Sequence, residues 1–379
     1  MYHVALRMLL GDRPKYIMLV SGLTFAALLM SQQCGVFFGL LSWTTSHMRN
    51  MRASIWVVDP KVEQINEVKP LRDTDVNRVR SVVGVAYAAP MYAGLMQARM
   101  ADGGFKQVQI VGLDAATMVG RPGNILAGRL EDLRLPSSVM IDTDAVVKLS
   151  IGRSHPLKIG DVFEINDREA RIIGICKGAK SWTGAPYIFT TYEQALRFAP
   201  PQRKMLSFVV AEPAQGLTAA QVARKIEKET GLKAFTEEEF FWSTIWWYFK
   251  NTGIPTSFGT TILLGLLVGI AVSGQTFYSF VLENTRHLAA LKAMGASNGL
   301  LARMLLLQAL TVGLIGYGLG IGLASLLGFI FLNKGQPPFF MPYQLPLATF
   351  GLIFLICIFA ALLGIRRVAK LEAAIVFRG

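Results

Sequence analysis

The stretch Glu283–Ser297 reads ENTRHLAALKAMGAS, a short basic loop between two long apolar runs. Residues 256–282 before it and 304–332 after it contain no Lys, Arg, Asp or Glu. Two further runs of the same kind, 16–43 and 345–365, lie outside these, with Lys15 and Arg303 at the borders. Each reaches the roughly 20 residues that an α-helix needs to cross a bilayer. In hydrocarbon every backbone N–H and C=O needs an internal partner, so the four runs predict four transmembrane helices. The first is about twice the length of a signal-peptide apolar region, and no A-x-A-like site follows it. Ser31-Gln32-Gln33-Cys34 is a poor lipoprotein site, because Gln33 is bulky where a small residue is wanted. An uncleaved anchor is expected.

Charge sets the orientation. Outside 44–255 there are 11 Lys and Arg residues, and ten flank the runs on one side: Arg7, Arg13, Lys15, Arg286, Lys292, Arg303, Arg366, Arg367, Lys370 and Arg378. Lys334 alone falls on the other side. The positive-inside rule then places both termini and the 283–303 loop in the cytoplasm, and 44–255 outside. That segment holds 27 basic and 22 acidic residues, so most of the chain's formal charge of +13 sits in the short cytoplasmic pieces. Contact with anionic lipid accounts for this basicity better than nucleic acid does. Cys34 and Cys357 lie within runs, which leaves Cys176 alone outside with no intrachain disulfide partner.

Between Thr44 and Pro255 the pattern is that of an α+β domain. Strands are expected at Ile55–Val58, Lys106–Val111, Val139–Asp142, Phe163–Ile165, Ala170–Ile175 and Leu206–Val210, with Asn166-Asp167 as a hairpin turn. Helices are expected at Asp73–Val83, Thr143–Leu149, Thr191–Phe198 and Ala219–Thr230. Thr218 and Gln221 have capping-box spacing, Gly231 stops that helix, and a second box, Thr236 to Glu239, opens Glu237–Lys250. The second helix carries Phe240, Phe241, Trp242, Trp246, Trp247, Tyr248 and Phe249 with Lys250 as its one basic residue. A nucleic-acid stacking platform needs interleaved basic residues, so an interfacial aromatic belt is the expected role.

No enzyme chemistry emerges. There is no G-x-x-x-x-G-K-[ST] phosphate loop and no G-x-S-x-G elbow. His3, His47, His155 and His287 are scattered without metal-ligand spacing. Asp142 and Asp144 sit in a strand-to-helix turn and suit helix capping. Gly316, Gly318, Gly320 and Gly322 lie inside an apolar run, so they point to helix packing, with Gly318/Gly322 and Gly265/Gly269 at small-x-x-x-small spacing. Gln275, Thr276, Tyr278 and Gln308 are expected to hydrogen-bond between helices. No carboxylate or base stands at the centre of a run to suggest an ion pathway.

The layout resembles the FtsX/MacB-type permeases of the ABC transporter superfamily over essentially the whole chain. It comprises a basic amphipathic lead-in (Ala5-Leu6-Arg7-Met8-Leu9-Leu10), one span, a large outer domain and three further spans. The most specific segment is Arg286, His287, Leu288 and then Leu291, Lys292, Ala293, Met294, Gly295, Ala296 and Ser297. In that family the corresponding loop contacts an ATP-binding subunit. At helical spacing Leu288, Leu291 and Met294 could plug a partner's groove, and Gly295 could end a short helix.

The expected fold is a polytopic α-helical membrane protein with four transmembrane helices and a large α+β extracytoplasmic domain between helices 1 and 2. The divisions are 1–43, 44–255 and 256–379, with a distal insert near 113–205. The resemblance implies a bacterial inner-membrane permease, not itself an enzyme, that forms a homodimer and moves its periplasmic domain by mechanotransmission. Only about 15 residues precede the first span, so a separate ATPase, which would bind ATP and Mg, is expected. A membrane-fusion-type adaptor and outer-membrane duct are further implied partners. Export or extraction of a substrate is the leading reading. The alternatives are a regulator of an extracytoplasmic hydrolase or sensor, and a stand-alone receptor.

Overall fold

A computed structural model describes residues 2–334 and 336–369; Lys370 and Arg378 of the charge count lie outside them. In chain order the helices are α1 Tyr2–Gly11, α2 Arg13–Thr44, α3 Ser46–Asn50, α4 Asp75–Arg80, α5 Thr143–Leu149, α6 Tyr192–Phe198, α7 Ala219–Thr230, α8 Glu237–Asn251, α9 Ile254–Glu283, α10 Thr285–Ala293, α11 Asn298–Lys334 and α12 Gln344–Ala369. The strands are β1 Ile55–Val58, β2 Val85–Arg99, β3 Phe105–Leu113, β4 Ile125–Gly128, β5 Ser138–Asp142, β6 Val162–Ile165, β7 Arg168–Cys176, β8 Tyr187–Thr191, β9 Phe208–Pro213 and β10 Lys233–Thr236. Two compact units result. A membrane unit comprises residues 1–40 and 253–379, and an inserted unit comprises 41–252.

In the membrane unit the four apolar runs become α2, α9, α11 and α12, all long and apolar enough to cross a bilayer. Their shared core takes Leu23, Ala26 and Met30 from α2, Phe277 and Phe280 from α9, Met304 and Ala309 from α11, and Ile356 and Ala360 from α12. The lead-in helix α1 adds Ala5 and Leu9 to this core, and Gln308 of α11 donates to the Ala5 carbonyl at 2.7 Å. Helices of equal hydrophobicity to the lipid associate through close packing, which small residues permit. A Cβ on Gly316 would stand 2.7 Å from the Leu23 Cβ, and one on Gly320 only 2.6 Å from the Ala27 Cβ. Gly318 and Gly322, expected at such a contact, face open space. At about 100° per residue they point away from the face that Gly316 and Gly320 share. Gly265 and Gly269 do meet span 1, at Leu29 and Ala26. Of the polar residues expected between helices, Thr276 is buried but Gln275 is exposed. Ser31 and Thr349 supply a cross-helix hydroxyl bond at 3.3 Å.

A socket closes one end of this bundle. Phe339, in the link between α11 and α12, lies against three glycines: Gly35 and Gly39 of α2 and Gly328 of α11. Added Cβ atoms would come within 2.5 Å of the ring at Gly35 and 2.2 Å at Gly328. At Gly39 the neighbours are backbone, with Phe339 N at 2.5 Å and Pro338 C at 2.6 Å. The Phe340 N–H donates to the Gly35 carbonyl at 2.9 Å, and Phe331 packs edge-on to the Phe339 ring.

The inserted unit is built on one mixed sheet in the order β10-β1-β9-β2-β3-β8-β5-β7-β4, with β6 on β2 and β7. Its organiser is β2, which was not foreseen because Pro90 and Gly94 interrupt it as strand breakers. Val85–Met91 pairs with β9, and from Tyr92 onward the partner becomes β3. Pro90 stands in the half that has β9 alone as strand partner among the described residues, where a missing N–H breaks no second ladder. Apolar layers cover both faces. Val57, Val79, Val209, Val222 and Ile226 bury α4 and α7 on one part of the sheet. Val108, Ile141, Ile172, Ile188 and Phe198 bury α5 and α6 on the other. Trp56, Met91, Val111, Tyr187, Phe208 and Phe240 form a layer common to both. Burying each such side chain is worth roughly 1.5–3 kcal/mol.

Locally, both capping boxes form, Gly231 is left-handed at φ +69, and Asn166 and Asp167 both have positive φ in the β6–β7 turn. The expected strand at Leu206–Val210 lies further on, at Phe208–Pro213, and Leu206 makes only an isolated bridge to Leu71. The helix expected over Asp73–Val83 shortens to Asp75–Arg80. Besides β2, the short strands β4, β8 and β10 went unforeseen.

Replacing Gly39 with Ala is expected to force the link off its seat, since backbone cannot move aside as a side-chain tip can. A loss of about 1–3 kcal/mol is expected, measured as a lowered Tm of the detergent-solubilised chain, while Gly318→Ala leaves Tm unchanged.

Candidate functional site

The loop between the second and third spans is folded, not irregular. α9 stops at Asn284, and α10 starts at once, with the Leu288 N–H on the Asn284 carbonyl at 3.0 Å. Gly295, at φ +98, reverses the chain: its N–H reaches the Lys292 carbonyl and the Ala296 N–H reaches the Leu291 carbonyl, both at 3.0 Å. A side chain at this left-handed position would be strained, so glycine is the residue the turn needs. Ser297 Oγ then accepts from the Leu300 N–H at 3.3 Å and caps α11. At the other end, Lys15 pairs with Glu283 and, at 3.1 Å, with Asp12, tying the start of span 1 to the end of span 2.

The predicted contact residues divide into two faces. Leu288 is 2% exposed and Ala296 8%, both in the membrane unit's own core, and Leu291 packs against the same core. Arg286, His287, Ala293, Met294, Gly295 and Ser297 face outward, and Lys292 is half-buried. Met294 is 75% exposed, an unbranched apolar side chain standing off the loop. The three-residue plug expected from Leu288, Leu291 and Met294 therefore does not form. α10 ends at Ala293, so Met294 leaves the helical stripe that points Leu288 and Leu291 inward.

Three buried ionisable groups of the inserted unit, His47, Tyr187 and Asp142, are structural ties. His47 is buried in α3 with Nδ1 3.0 Å from the Tyr187 hydroxyl, which also lies 2.9 Å from Ser46 Oγ. Burial pushes His47 down to about 4 and holds Tyr187 above its ordinary range. Asp142 caps α5 by accepting from the Ala145 N–H at 2.6 Å and takes the Tyr187 N–H at 3.0 Å. Burial raises it to about 6 against the pull of those two hydrogen bonds. Asp144 pairs with Lys148 at 2.6 Å. Among the described residues no group of His, Cys, Asp and Glu could hold a metal ion. No sequence signal linked His47 to Tyr187, because 140 positions separate them.

The aromatic belt of α8 also splits. Phe240 is fully buried and stacks on Phe235 at 4.6 Å, and Tyr248 packs on Trp182 at 5.0 Å. Trp242, Trp246 and Phe249 stay exposed at helical spacing on the opposite face.

Four membrane-length helices with an α+β unit inserted after the first define a polytopic membrane protein. Residues 18–229 match the family model of the MacB-like periplasmic core domain, and residues 241–373 that of the FtsX-like permease C-terminal region. The chain belongs to the FtsX/MacB-type permeases of ABC transporters. An uncharacterized ABC transporter permease of Mycobacterium tuberculosis is 25% identical over 313 residues, covering 82% of this chain and 80% of its own. One from Methanocaldococcus jannaschii is 24% identical over 252 residues, 61% of each. Among solved structures, the extracellular domain of the noncanonic ABC-type transporter YknZ from Gram-positive bacteria aligns with 48% of this chain and 99% of its own, at 15% identity and TM-score 0.36. The periplasmic region of MacB from Actinobacillus actinomycetemcomitans aligns with 54% and 95%, at 13% identity and TM-score 0.35.

Two outcomes follow from this geometry. Leu288→Asp buries a charge in the bundle and is expected to lower Tm steeply, by an amount equivalent to about 3 kcal/mol or more, whereas Met294→Asp leaves Tm unchanged. The pH response turns on the two buried groups. An unfolded His47 takes its proton near 6.5 and the folded one near 4, so its burial weakens the fold as pH falls through that window. Asp142 binds its proton near 6 when folded and near 3.8 when unfolded, so acid strengthens the fold there. Relative to wild type, His47→Gln is expected to gain about 2 kcal/mol between pH 7 and pH 5. Asp142→Asn is expected to lose stability over the same interval, both read from hydrogen exchange at the Tyr187 amide.

Proposed function

We propose that the chain is the membrane-spanning subunit of an ABC transporter, that a separate ATP-binding subunit docks on its 286–297 loop, and that ATP-driven motion of this loop is passed to the inserted unit on the outer side. The observation that carries the reading is Met294, 75% exposed at the turn of a loop otherwise held rigidly by the chain's own core. An apolar knob on a loop that also exposes Arg286 and His287 suits an apolar groove rimmed by acidic groups, with the buried knob supplying most of the energy. The family membership and the positive-inside charge pattern support a cytoplasmic position for this loop.

ATP and Mg would be bound by the partner, which supplies the driving free energy. What this chain supplies is stiffness and a lever. Leu288, Ala296 and the Gly295 turn make the loop move as a piece with α9 and α11. The Lys15–Glu283 pair carries that motion to the start of α2, and the Phe339 socket holds the far end of α2 to α11. The chain of α2 continues into the inserted unit, as does that of α9 through α8. Work on a substrate, by export or extraction, would then be done by the inserted unit, in a homodimer of this chain. The buried, interlocked apolar interior of the spans supports this reading over passage between them.

Affinity purification from native membranes in a gentle detergent tests the reading. An ATP-binding subunit is expected with the wild-type chain and is expected to fall about tenfold with Met294→Asp, as for a lost apolar anchor. The mutant chain stays folded by Tm. Recovery of the chain without any ATP-binding subunit, in wild type and mutant alike, would overturn it.

A further inference from the structure

The inserted unit contains a charged cleft that the coupling reading does not use. Two adjoining cavities, of about 370 and 500 Å³, share Arg52 and Glu212 as walls. Arg121, Tyr87 and Gly123 complete the first; Arg49 and Glu237 close the second.

The charged groups are placed by the fold. Glu212 of β9 is paired across the sheet with Tyr87 of β2, and its carboxylate accepts from the Ser54 N–H at 3.2 Å and the Ser54 hydroxyl at 2.5 Å. Arg52 lies flat on Gly123, where a Cβ would come 2.8 Å from its Nη2 and 3.0 Å from its Cζ. The loop carrying Gly123 and Arg121 is docked by the Gly120 N–H on the Arg52 carbonyl at 3.2 Å, and is shaped by left-handed Met118 and Gly120. Among the described residues neither the Arg52 nor the Arg121 guanidinium makes an ion pair. Arg49 donates to the Ser42 carbonyl and, at 3.2 Å, to the Ser42 hydroxyl, which sets its head group level with the last turn of α2.

Three guanidinia and two carboxylates line the two adjoining cavities, which meet at Arg52 and Glu212. A simple anion would meet Glu212 and Glu237, and a simple amine would meet the arginines. A ligand carrying both charges satisfies both sets, and guanidinium forks match phosphate oxygens. Glu212 and Glu237 can only accept, so the cation must bring N–H groups, which an ammonium has and a quaternary amine lacks.

We propose that this cleft binds an amino-phosphate group such as the phosphoethanolamine head of a phospholipid, the phosphate held by Arg52 and Arg121 and the ammonium by Glu212 and Glu237. The Tyr87 hydroxyl, in the wall of the first cavity, adds a donor to the phosphate.

The test uses the full chain in detergent, titrated by calorimetry with O-phosphoethanolamine, phosphocholine and inorganic phosphate. Saturable binding of phosphoethanolamine is expected, with phosphocholine and phosphate each about tenfold weaker, as for one lost charge-assisted hydrogen bond. Arg52→Gln, Arg121→Gln and Gly123→Val are each expected to weaken it about tenfold, the last by displacing Arg52 with every charge retained. Glu212→Gln is expected to weaken phosphoethanolamine but not phosphate. Arg52, Arg121 and Gly123 are exposed and Glu212 is half-buried on β9, and an unchanged Tm checks each fold. In parallel, the chain in nanodiscs of mixed phosphatidylethanolamine and phosphatidylcholine is examined by native mass spectrometry. Selective retention of the ethanolamine lipid, lost in the Arg52→Gln, Arg121→Gln double variant, assigns the head group to lipid. Soluble binding without that retention assigns it to a free amino-phosphate compound. Equal binding of phosphate or phosphocholine, or indifference to the double variant in both assays, overturns the proposal. No partner subunit enters the measurement, so its failure leaves the permease reading untouched.

Discussion

Hydrocarbon offers no hydrogen bonds to a peptide group, and the membrane unit is organised around that fact. Each of its four long segments satisfies its own backbone by being helical, so the segments must then find one another without a hydrophobic driving force. The contacts that bring them together are places where a side chain is missing: Gly316 and Gly320 against Leu23 and Ala27, Gly265 and Gly269 against Leu29 and Ala26. The Phe339 socket is the same device turned round, three glycines from two helices making room for one ring. Polar side chains play a small part, chiefly Gln308 holding α1 and the Ser31–Thr349 pair.

A rigid bundle gives its interspan loop a defined shape. Because Leu288 and Ala296 are committed to the bundle, α10 cannot swing freely, and the large apolar side chain it leaves exposed is Met294, on a loop that also exposes Arg286 and His287. A loop that merely touched lipid would need none of this anchoring. In the proposed function the same anchoring makes the loop a handle: force applied at Met294 reaches α9, α11 and, through Lys15 and Glu283, the start of α2.

The inserted unit depends on one strand. β2 changes partner at Tyr92, so the two parts of the sheet share a continuous backbone and a common apolar layer under Trp56, Met91 and Tyr187. Buried ties such as His47–Tyr187 and Asp142–Tyr187 then join residues far apart in the chain into one stable body. The proposed amino-phosphate cleft arises where β2 and β9 bring Tyr87 and Glu212 beside the segment that follows α2.

The spans, their number and the capped helices of the inserted unit were legible in the sequence because each is decided locally. Twenty apolar residues have one solution in lipid, and Thr218 with Gln221, or Gly231 after Thr230, act within a single turn. The turn that ends the 285–293 helix was legible for the same reason, through Gly295. Which of the loop's side chains stay available was not legible, since Leu288, Leu291 and Met294 share a spacing and only the bundle beneath them buries two of the three. β2 was hidden because Pro90 and Gly94 look like breakers until the sheet shows that one edge beside Pro90 needs no donor. The facing of Gly316 rather than Gly318, the union of Arg52 with Arg121 and Glu212, and the pairing of His47 with Tyr187 were decided only by tertiary structure. Each depends on which surfaces meet across long sequence separations, and local pattern carries no record of that.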